Sequence, residues 1–380
     1  MRVPGKSSPG IEKGDNPPAR KKGGKPSAAL LKSCLFSALL TIGLYYSCTV
    51  RPEKFWLFGF SGYLIPPAML VQLFLLFYCL WKRPVMALIP GLALFLGMRF
   101  IQASIGWHYL ITEKCNEFKV LSLNAKAFGA MEKPEKRDEA ATAEMVKKIK
   151  ESEADIICIQ EMHDFPGNPP YNVVRQLKKA GYRHSFYSVA RKHWGSSVGM
   201  AIFSKHPILE KQVIRKKEGS NNQIILARIR MGERRISVIN MHLQSVALNE
   251  QELSGRDENK EWLGRSFSIG KKLKKGFQAR ASQIDDLLTA ARNEGNYLII
   301  CGDMNDTPYS NSYLRVRNEF RNSFEEKGKG LGFTFNGPIP FLRIDNQFFA
   351  RGLRISRFET RRDFEPSDHH ATEACYSFAE

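Results

Sequence analysis

Tyr297-Leu-Ile-Ile-Cys-Gly-Asp-Met-Asn305 is an apolar run that stops on Gly-Asp-x-Asn. A short apolar run bounded by turn residues reads as a buried strand. This one delivers an acid and an amide at its end. The same design recurs on both sides of it. Upstream, Phe118-Lys-Val-Leu-Ser-Leu-Asn124 stops on Asn, and Asp155-Ile-Ile-Cys-Ile-Gln-Glu161 stops on Gln-Glu. Arg235-Ile-Ser-Val-Ile-Asn-Met-His242 alternates as a strand and stops on His. Downstream, Arg343-Ile-Asp345 precedes a Phe-rich strand, and Pro366-Ser-Asp-His369 precedes a strand from Ala371 to Phe378. One such ending carries little information. Six carry much more, because strands aligned in a sheet bring their ends to one edge. Helix-period stretches intervene at about Asp138–Glu151 and Gln278–Asn293. The alternation predicts an α/β layered domain.

Outward from these strands the chain changes character. Residues 116–380 have the composition of a soluble mixed domain, long enough to bury a large core. Residues 29–111 are dominated by Leu, Phe, Ile and small residues in three apolar runs, about Ala28 to Val50, Gly62 to Trp81 and Val85 to Ile111. A membrane span needs about 20 apolar residues, so about three transmembrane helices are expected. Arg99 inside the third run must snorkel or face another helix, which leaves two spans as the alternative. Residues 1–28, with five prolines and a Lys/Arg cluster from Arg20 to Lys25, have almost nothing to bury and are expected to be disordered. The first run is followed by no Ala-x-Ala-like cleavage site, so it reads as a retained span of a multi-pass protein of the cell membrane. Eight basic residues through Lys32 place the N-terminus in the cytoplasm. Three spans then put the C-terminal domain on the extracytoplasmic (periplasmic) side, and two put it inside.

The formal net charge is +19, about half of it in residues 1–118. The C-terminal domain is therefore basic in its own right, which suits an anionic partner and also serves plain solubility. The seven cysteines include no Cys-x-x-Cys pair, so neither a zinc site nor a disulfide framework is expected.

Taken in order, Leu123-Asn124, Gln160-Glu161, Gly199-Met-Ala-Ile-Phe-Ser204, Asn240-x-His242, Gly302-Asp303-x-Asn305, Arg343-Ile-Asp345 and Ser367-Asp368-His369 resemble the endonuclease/exonuclease/phosphatase (DNase I-like) superfamily. The resemblance covers essentially all of 116–380. With the apolar N-terminus and the stretch Gly332 to Asp345, it looks like the membrane-anchored bacterial branch. It implies a four-layer α/β sandwich of two mixed, mostly antiparallel sheets. It also implies a phosphoester hydrolase using Mg²⁺ or Mn²⁺, with water attacking phosphorus in line.

Phosphodiesters repel nucleophiles, so cations and hydrogen-bond donors must neutralise the developing charge. By the resemblance, Glu161 is the metal ligand, Asp368 lies near the metal, and Asn124 supports the metal or a phosphate oxygen. His369 with Asp345 forms a base–acid pair that polarises water. Asp303 and Asn305 position the nucleophile and bind phosphate. His242 binds phosphate or assists the leaving group. Arg280 is a candidate phosphate contact, with a helix-surface arginine as the plain alternative. His163 reads as a loop residue, His370 as turned to the other strand face, and His206 as a solvated turn.

Two features depart from family patterns. Lys126 stands where some nuclease members carry an acid, and the Trp-Cys-Asp-Arg variant of inositol phosphatases is absent. The basic connection from Gln244 to Phe277 reads either as an exposed helix or as a flank for anionic substrate or membrane. Nucleic acid, phospholipid and small phosphodiesters all remain as substrates, with the lipid bilayer as the anchor and no protein partner expected. The rival reading is an inactive, membrane-tethered module that binds phosphate or nucleic acid.

Overall fold

The computed structural model describes residues 28–108, 115, 117–129, 139–193, 195–217, 219–246, 262–337, 341–364 and 366–379. The tail expected to be disordered lies outside these, apart from Ala28. So do the end of the third apolar run and residues 247–261 of the basic connection.

The first apolar run forms helix α1 (Ala28–Ser47), and the second forms α2 (Ser61–Lys82) behind a 3-10 turn at Trp56–Phe60. Both are long and apolar enough to cross a membrane. The third run splits at Gly97 into α3 (Leu88–Leu96) and α4 (Met98–Ser104), bent by 64°. Two helices therefore have the length to span, or up to three if the bent pair is one span. Glycine is required at the break because a Cβ there would meet the Tyr45 hydroxyl at 2.3 Å. The pairing is antiparallel: Cys34 lies beside Cys79, Gln72 Nε2 donates to Thr41 Oγ1 at 2.9 Å, and Tyr45 stacks on Phe100.

The rest is a sandwich of two six-stranded sheets. The first contains β2 (Phe118–Asn124), β3 (Ile156–Asp164), β4 (His184–His193), β5 (Ser196–Ser204), β13 (Leu353–Arg361) and β14 (Ala371–Phe378), in the order β13-β14-β2-β3-β5-β4. The second contains β6 (Ile208–Lys216), β7 (Gln223–Met231), β8 (Arg234–His242), β9 (Leu298–Asp303), β10 (Arg321–Asn322) and β12 (Asp345–Phe349), in the order β10-β12-β9-β8-β7-β6. Each sheet has one parallel pair, β2 with β3 and β8 with β9, and is otherwise antiparallel. Two short strands, β1 (Gly106–Trp107) and β11 (Lys329–Gly330), pair outside the sandwich.

The alternating strands bury both faces. Between the sheets, Val120, Ile156, Ile202, Ile225, Val238, Ile299 and Phe349 form one core. Outside the first sheet, α5 (Glu139–Glu151) and α6 (Val173–Lys179) cover Leu121, Leu123, Ile157 and Ile159 with Met145, Val146, Ile149, Val173 and Leu177. Outside the second, α7 (Trp262–Arg292) and α8 (Asn311–Arg317) cover Ile224, Ile239, Met241 and Ile300 with Ile284, Leu287, Leu288 and Tyr313. Each fully buried aliphatic side chain contributes about 1.5–3 kcal/mol, and these layers position the strand ends. The expected four-layer sandwich is the observed one.

Two expectations are corrected and one open choice is decided. β3 does not stop at Gln160-Glu161 but crosses a bulge there and continues to Asp164, so His163 is a buried strand residue rather than a loop residue. The described part of the basic connection, from Trp262 on, is the first half of the 31-residue α7. Cys115 and Cys375 form a disulfide across 260 residues. No local spacing encodes that pairing, because the fold alone brings the two cysteines together.

The apolar helices are seated on the sandwich, not merely tethered to it. Thr307 Oγ1 donates to Gly62 O at 3.0 Å, Asn311 Nδ2 to Cys48 O at 3.1 Å, and Arg343 Nη2 to Ala103 O at 2.7 Å. The last two acceptors are carbonyls at helix C-termini, which have no partner within their own helix. Leu314 packs among Tyr45, Ile65 and Phe100, and Phe277 meets Phe60 edge-on.

Candidate active site

Register carries the polar strand ends to one edge of the sandwich. Within the second sheet, His242 stands opposite Asp303, and Asp303 opposite Asp345. Within the first, Asn124 stands opposite Gln160. Gly302 is needed just before Asp303: its φ is +128°, and a Cβ there would meet the Met241 carbonyl oxygen at 2.0 Å.

The two sheets are tied together here by amides. Gln160 Nε2 donates to Asn240 Oδ1 at 2.6 Å, and Asn240 Nδ2 donates to the carbonyls of Ala201 and Ile159. Asn124 Nδ2 donates across the sheets to Asp303 Oδ2 at 3.2 Å. Asp303 is the hub. It also accepts from the Asn305 backbone N–H at 2.7 Å and from Asn305 Nδ2 at 3.1 Å. Asn305 takes a left-handed φ of 50° to close this turn. Burial, then repulsion from Asp345, pushes the Asp303 carboxyl up from its ordinary value, against the opposing pull of His369 and His242.

His369 Nδ1 lies 2.9 Å from Asp345 Oδ2, and its Nε2 lies 4.0 Å from Asp303 Oδ2. The dyad is well braced. Thr334 Oγ1 accepts from the backbone N–H groups of Ile344 and Asp345. Ser367 Oγ accepts from the His369 backbone N–H and donates to Asn124 O. Phe335 meets the imidazole edge-on. Burial disfavours the imidazolium, but the Asp345 and Asp303 carboxylates outweigh it and push His369 up to about 10. His242 Nε2 lies 3.6 Å from Asp303 Oδ2 and 3.8 Å from Glu161 Oε1.

Glu161 occupies the bulge with a left-handed φ of 48°. A non-glycine residue held there costs on the order of 1–3 kcal/mol and is characteristic of functional sites. Among the described residues its carboxylate accepts no hydrogen bond and stays partly open. Lys126 begins a left-handed turn through Phe128, and its ammonium lies 3.2 Å from Asp368 Oδ2.

Among the described residues, those within metal-ligating distance of one another are Asp303, Asp345 and His369, whose donor atoms lie within 4.8 Å. That is a different set from the expected Glu161, Asp368 and Asn124. His369 Nδ1 is already engaged with Asp345, and both Asp303 oxygens already accept hydrogen bonds. Asp345 and His369 therefore form a hydrogen-bonded pair, with Asp303 set 4.0 Å beyond the imidazole. Glu161 supplies the open oxygen donor that a hard divalent cation prefers; beside it, Asp368 faces the Lys126 ammonium at 3.2 Å and the Asn124 amide oxygen accepts from the Lys126 backbone N–H at 3.1 Å. Four carboxylates meeting in one site also call for a cation. The residues present fit such an ion.

Arg280 is corrected. It is neither on the helix surface nor open to substrate but fully buried. Its Nε donates to Asp306 at 3.0 Å and its Nη1 to Gln244 O at 2.9 Å, bracing the loops that follow Asn305 and His242. Thr334, Ser367 and Phe335 were not singled out from the sequence. Their one signal was position, inside or beside the quoted motifs.

A family model described as the endonuclease/exonuclease/phosphatase family matches residues 121–369, and one described as a domain of unknown function (DUF8431) matches residues 28–104. No curated protein gives a significant match. Among solved structures, the human nocturnin catalytic domain with bound sulfate aligns with 72% of this chain and 99% of its own, at 17% identity and a TM-score of 0.51. A protein of the same family from Beutenbergia cavernae DSM 12333 aligns over 69% of this chain and 72% of its own, at 16% identity and a TM-score of 0.48. Another from Leptotrichia buccalis C-1013-b covers 69% and 100%, at 15% identity and a TM-score of 0.47. At such identities the likeness to nocturnin is one of fold.

Proposed function

The chain belongs to the endonuclease/exonuclease/phosphatase family, and from that premise we propose that it hydrolyses a phosphoester by in-line attack of water, at a site supplied with Mg²⁺ or Mn²⁺. The carrying observation is the His369–Asp345 pair set against Asp303 at the meeting edge of both sheets. Asp345 fixes the imidazole through Nδ1; a divalent ion among these carboxylates would offset the pull that favours the imidazolium and so leave Nε2 able to take the proton of the attacking water. Asp303, fixed by Asn124 and Asn305, aligns that water. Asn305, whose two amide hydrogens go to Leu243 O and Asp303 Oδ2, holds the turn in place, while His242 donates to a phosphate oxygen and protonates the departing alkoxide. Glu161, with Asp368 and Asn124, would hold the divalent ion, which when bound neutralises charge on the phosphate. The alternative of an inactive binding module is disfavoured by the completeness of this set.

The reading places the enzyme outside the cytoplasm, on a multi-pass anchor. Lys82 and Arg83 end α2 at the pole of the helices away from the sandwich, the same pole as Lys32 near the start of α1. The Cys115–Cys375 disulfide suits an oxidising compartment. A reporter fused after Glu380 should be active only if it is exported; activity from a cytoplasm-dependent reporter alone would reverse the topology.

The reaction is tested with full-length protein in detergent and bis(p-nitrophenyl) phosphate. Turnover should appear with Mg²⁺ or Mn²⁺ and vanish with EDTA. No turnover with either metal would leave the binding-module reading standing.

A further inference from the structure

We infer that the substrate is a phospholipid of the same bilayer that anchors the protein, cleaved at its headgroup phosphodiester. This rests on the hydrolytic reading above and adds the substrate class.

The first observation is where the helices dock. Thr307, bonded to Gly62 at the start of α2, is two residues from Asn305, and Arg343, bonded to Ala103 near the end of α4, is two residues from Asp345. Two residues of chain span at most about 7 Å. The Thr307 and Arg343 side chains add their own reach to this, so two independent segments tie the loops of the site to the ends of apolar helices. The polar headgroup zone extends only about 5–8 Å beyond the hydrocarbon core on each side. The site is therefore held close to the membrane surface, a poor place to receive a nucleic acid duplex and a direct one for a lipid phosphate.

The second observation is the character of the rim. The segment that sets Phe335 against His369 also carries Leu331 and Phe341, which are 51% and 70% exposed. Phe341 leans on Phe333 and is otherwise open. Tyr46, Phe55, Leu57 and Trp107, at the same pole of the helices, are exposed too. Aromatic residues at this level are typical of the membrane–water boundary. Exposed Lys271, Lys274 and Lys275 stand within two turns of Phe277, which packs on Phe60 at the foot of α2. A basic band at that height attracts anionic headgroups, by about 1 kcal/mol per residue near the surface.

The chemistry balances with water alone. The water oxygen forms a bond to phosphorus and its proton passes to His369 Nε2. One phosphorus–ester oxygen bond breaks, and the departing alkoxide takes a proton from His242. No redox partner is needed.

The test uses full-length protein reconstituted in vesicles of phosphatidylglycerol and phosphatidylethanolamine, with lipid products read by mass. Metal-dependent release of diglyceride or phosphatidate is expected, phosphatidylglycerol being cut at least as fast as phosphatidylethanolamine. Labelled lipid supplied in separate, protein-free vesicles should be cut at least tenfold more slowly. The double variant Leu331→Ser, Phe341→Ser should lose at least tenfold on vesicle lipid and keep its bis(p-nitrophenyl) phosphate turnover within twofold. Cleavage of DNA or RNA oligonucleotides with lipids left intact would overturn the inference and leave the hydrolytic reading in place. So would equal rates on both vesicle populations. Loss of turnover on bis(p-nitrophenyl) phosphate in the wild type would instead remove the hydrolytic reading, and this inference with it.

Discussion

The two edges of the sandwich are built from opposite materials. Where the strands deliver Asn124, His242 and Asp303, the space between the sheets holds Gln160, Asn240, Asp345 and His369, all buried. Toward the other edge the same strands meet through Phe118, Val120, Ile236, Val238, Phe349 and Tyr376. The apolar edge gains free energy from burial. The polar edge incurs desolvation and recovers it only where every group finds a partner. Its concentration of buried amides and carboxylates, with strained backbone at Glu161 and Asn305, marks a structure selected for something other than stability. Substitutions at the polar edge should therefore change turnover more than folding, and substitutions at the far edge the reverse.

The strongest break in turnover is expected from His369→Ala. Removal of a general base in a preorganised site should lower kcat by about 10³-fold or more, while circular dichroism and thermal unfolding change little. Full activity in this variant would dissolve the distinction between the edges. Glu161→Gln should act next most strongly and differently: the Mg²⁺ concentration for half-maximal rate should rise about tenfold or more, with kcat partly recovered at saturating metal. An unchanged metal dependence would remove Glu161 from the ion's donors.

Most of the polar edge was legible in the sequence because strand register is a local property. An apolar run that stops on Asn124, His242 or Asp303 needs only its own sheet to bring it to the edge. The fold class followed from the same runs. What required tertiary contacts was not legible. Arg280 sits in a helical pattern that says nothing of Asp306, its buried partner. Glu161 looked like a strand end because a bulge leaves no local signature when the strand continues in apolar and polar residues alike. Cys115 and Cys375 are paired by closure of the domain. The seating of the apolar helices on Thr307, Asn311 and Arg343 was hidden for a related reason: hydropathy reports that a helix is apolar but not which protein surface receives its end.

Asn240 separates support from chemistry within the polar edge. Asn240→Leu leaves Gln160 Nε2 and the carbonyls of Ile159 and Ala201 with lost partners. An orphaned buried group costs about 1–3 kcal/mol, so a lower midpoint in urea should accompany a kcat reduced only severalfold. A loss as large as that of His369→Ala would mean that Asn240 acts in the reaction itself.

The smallest effect on turnover belongs to Glu294, on the opposite edge. It accepts from Arg228 Nε at 3.0 Å and from Ser237 Oγ at 2.5 Å. Burial alone would raise its carboxyl, but Arg228 and Ser237 more than offset that and hold it below the usual range. A depressed carboxylate stabilises the fold fully above its unfolded value, about 4.3, and loses that contribution as pH falls through the folded value. Glu294→Gln should therefore cost about 1 kcal/mol at pH 7, given that a charged hydrogen bond is exchanged for a neutral one. Its unfolding midpoint should converge with that of the wild type as the pH falls below about 4. Turnover at pH 7 should not change, since no group of the site touches Glu294. A Glu294→Gln variant with intact stability but impaired turnover would mean that the apolar edge reaches the chemistry, and that the two edges are not the separate structures their composition describes.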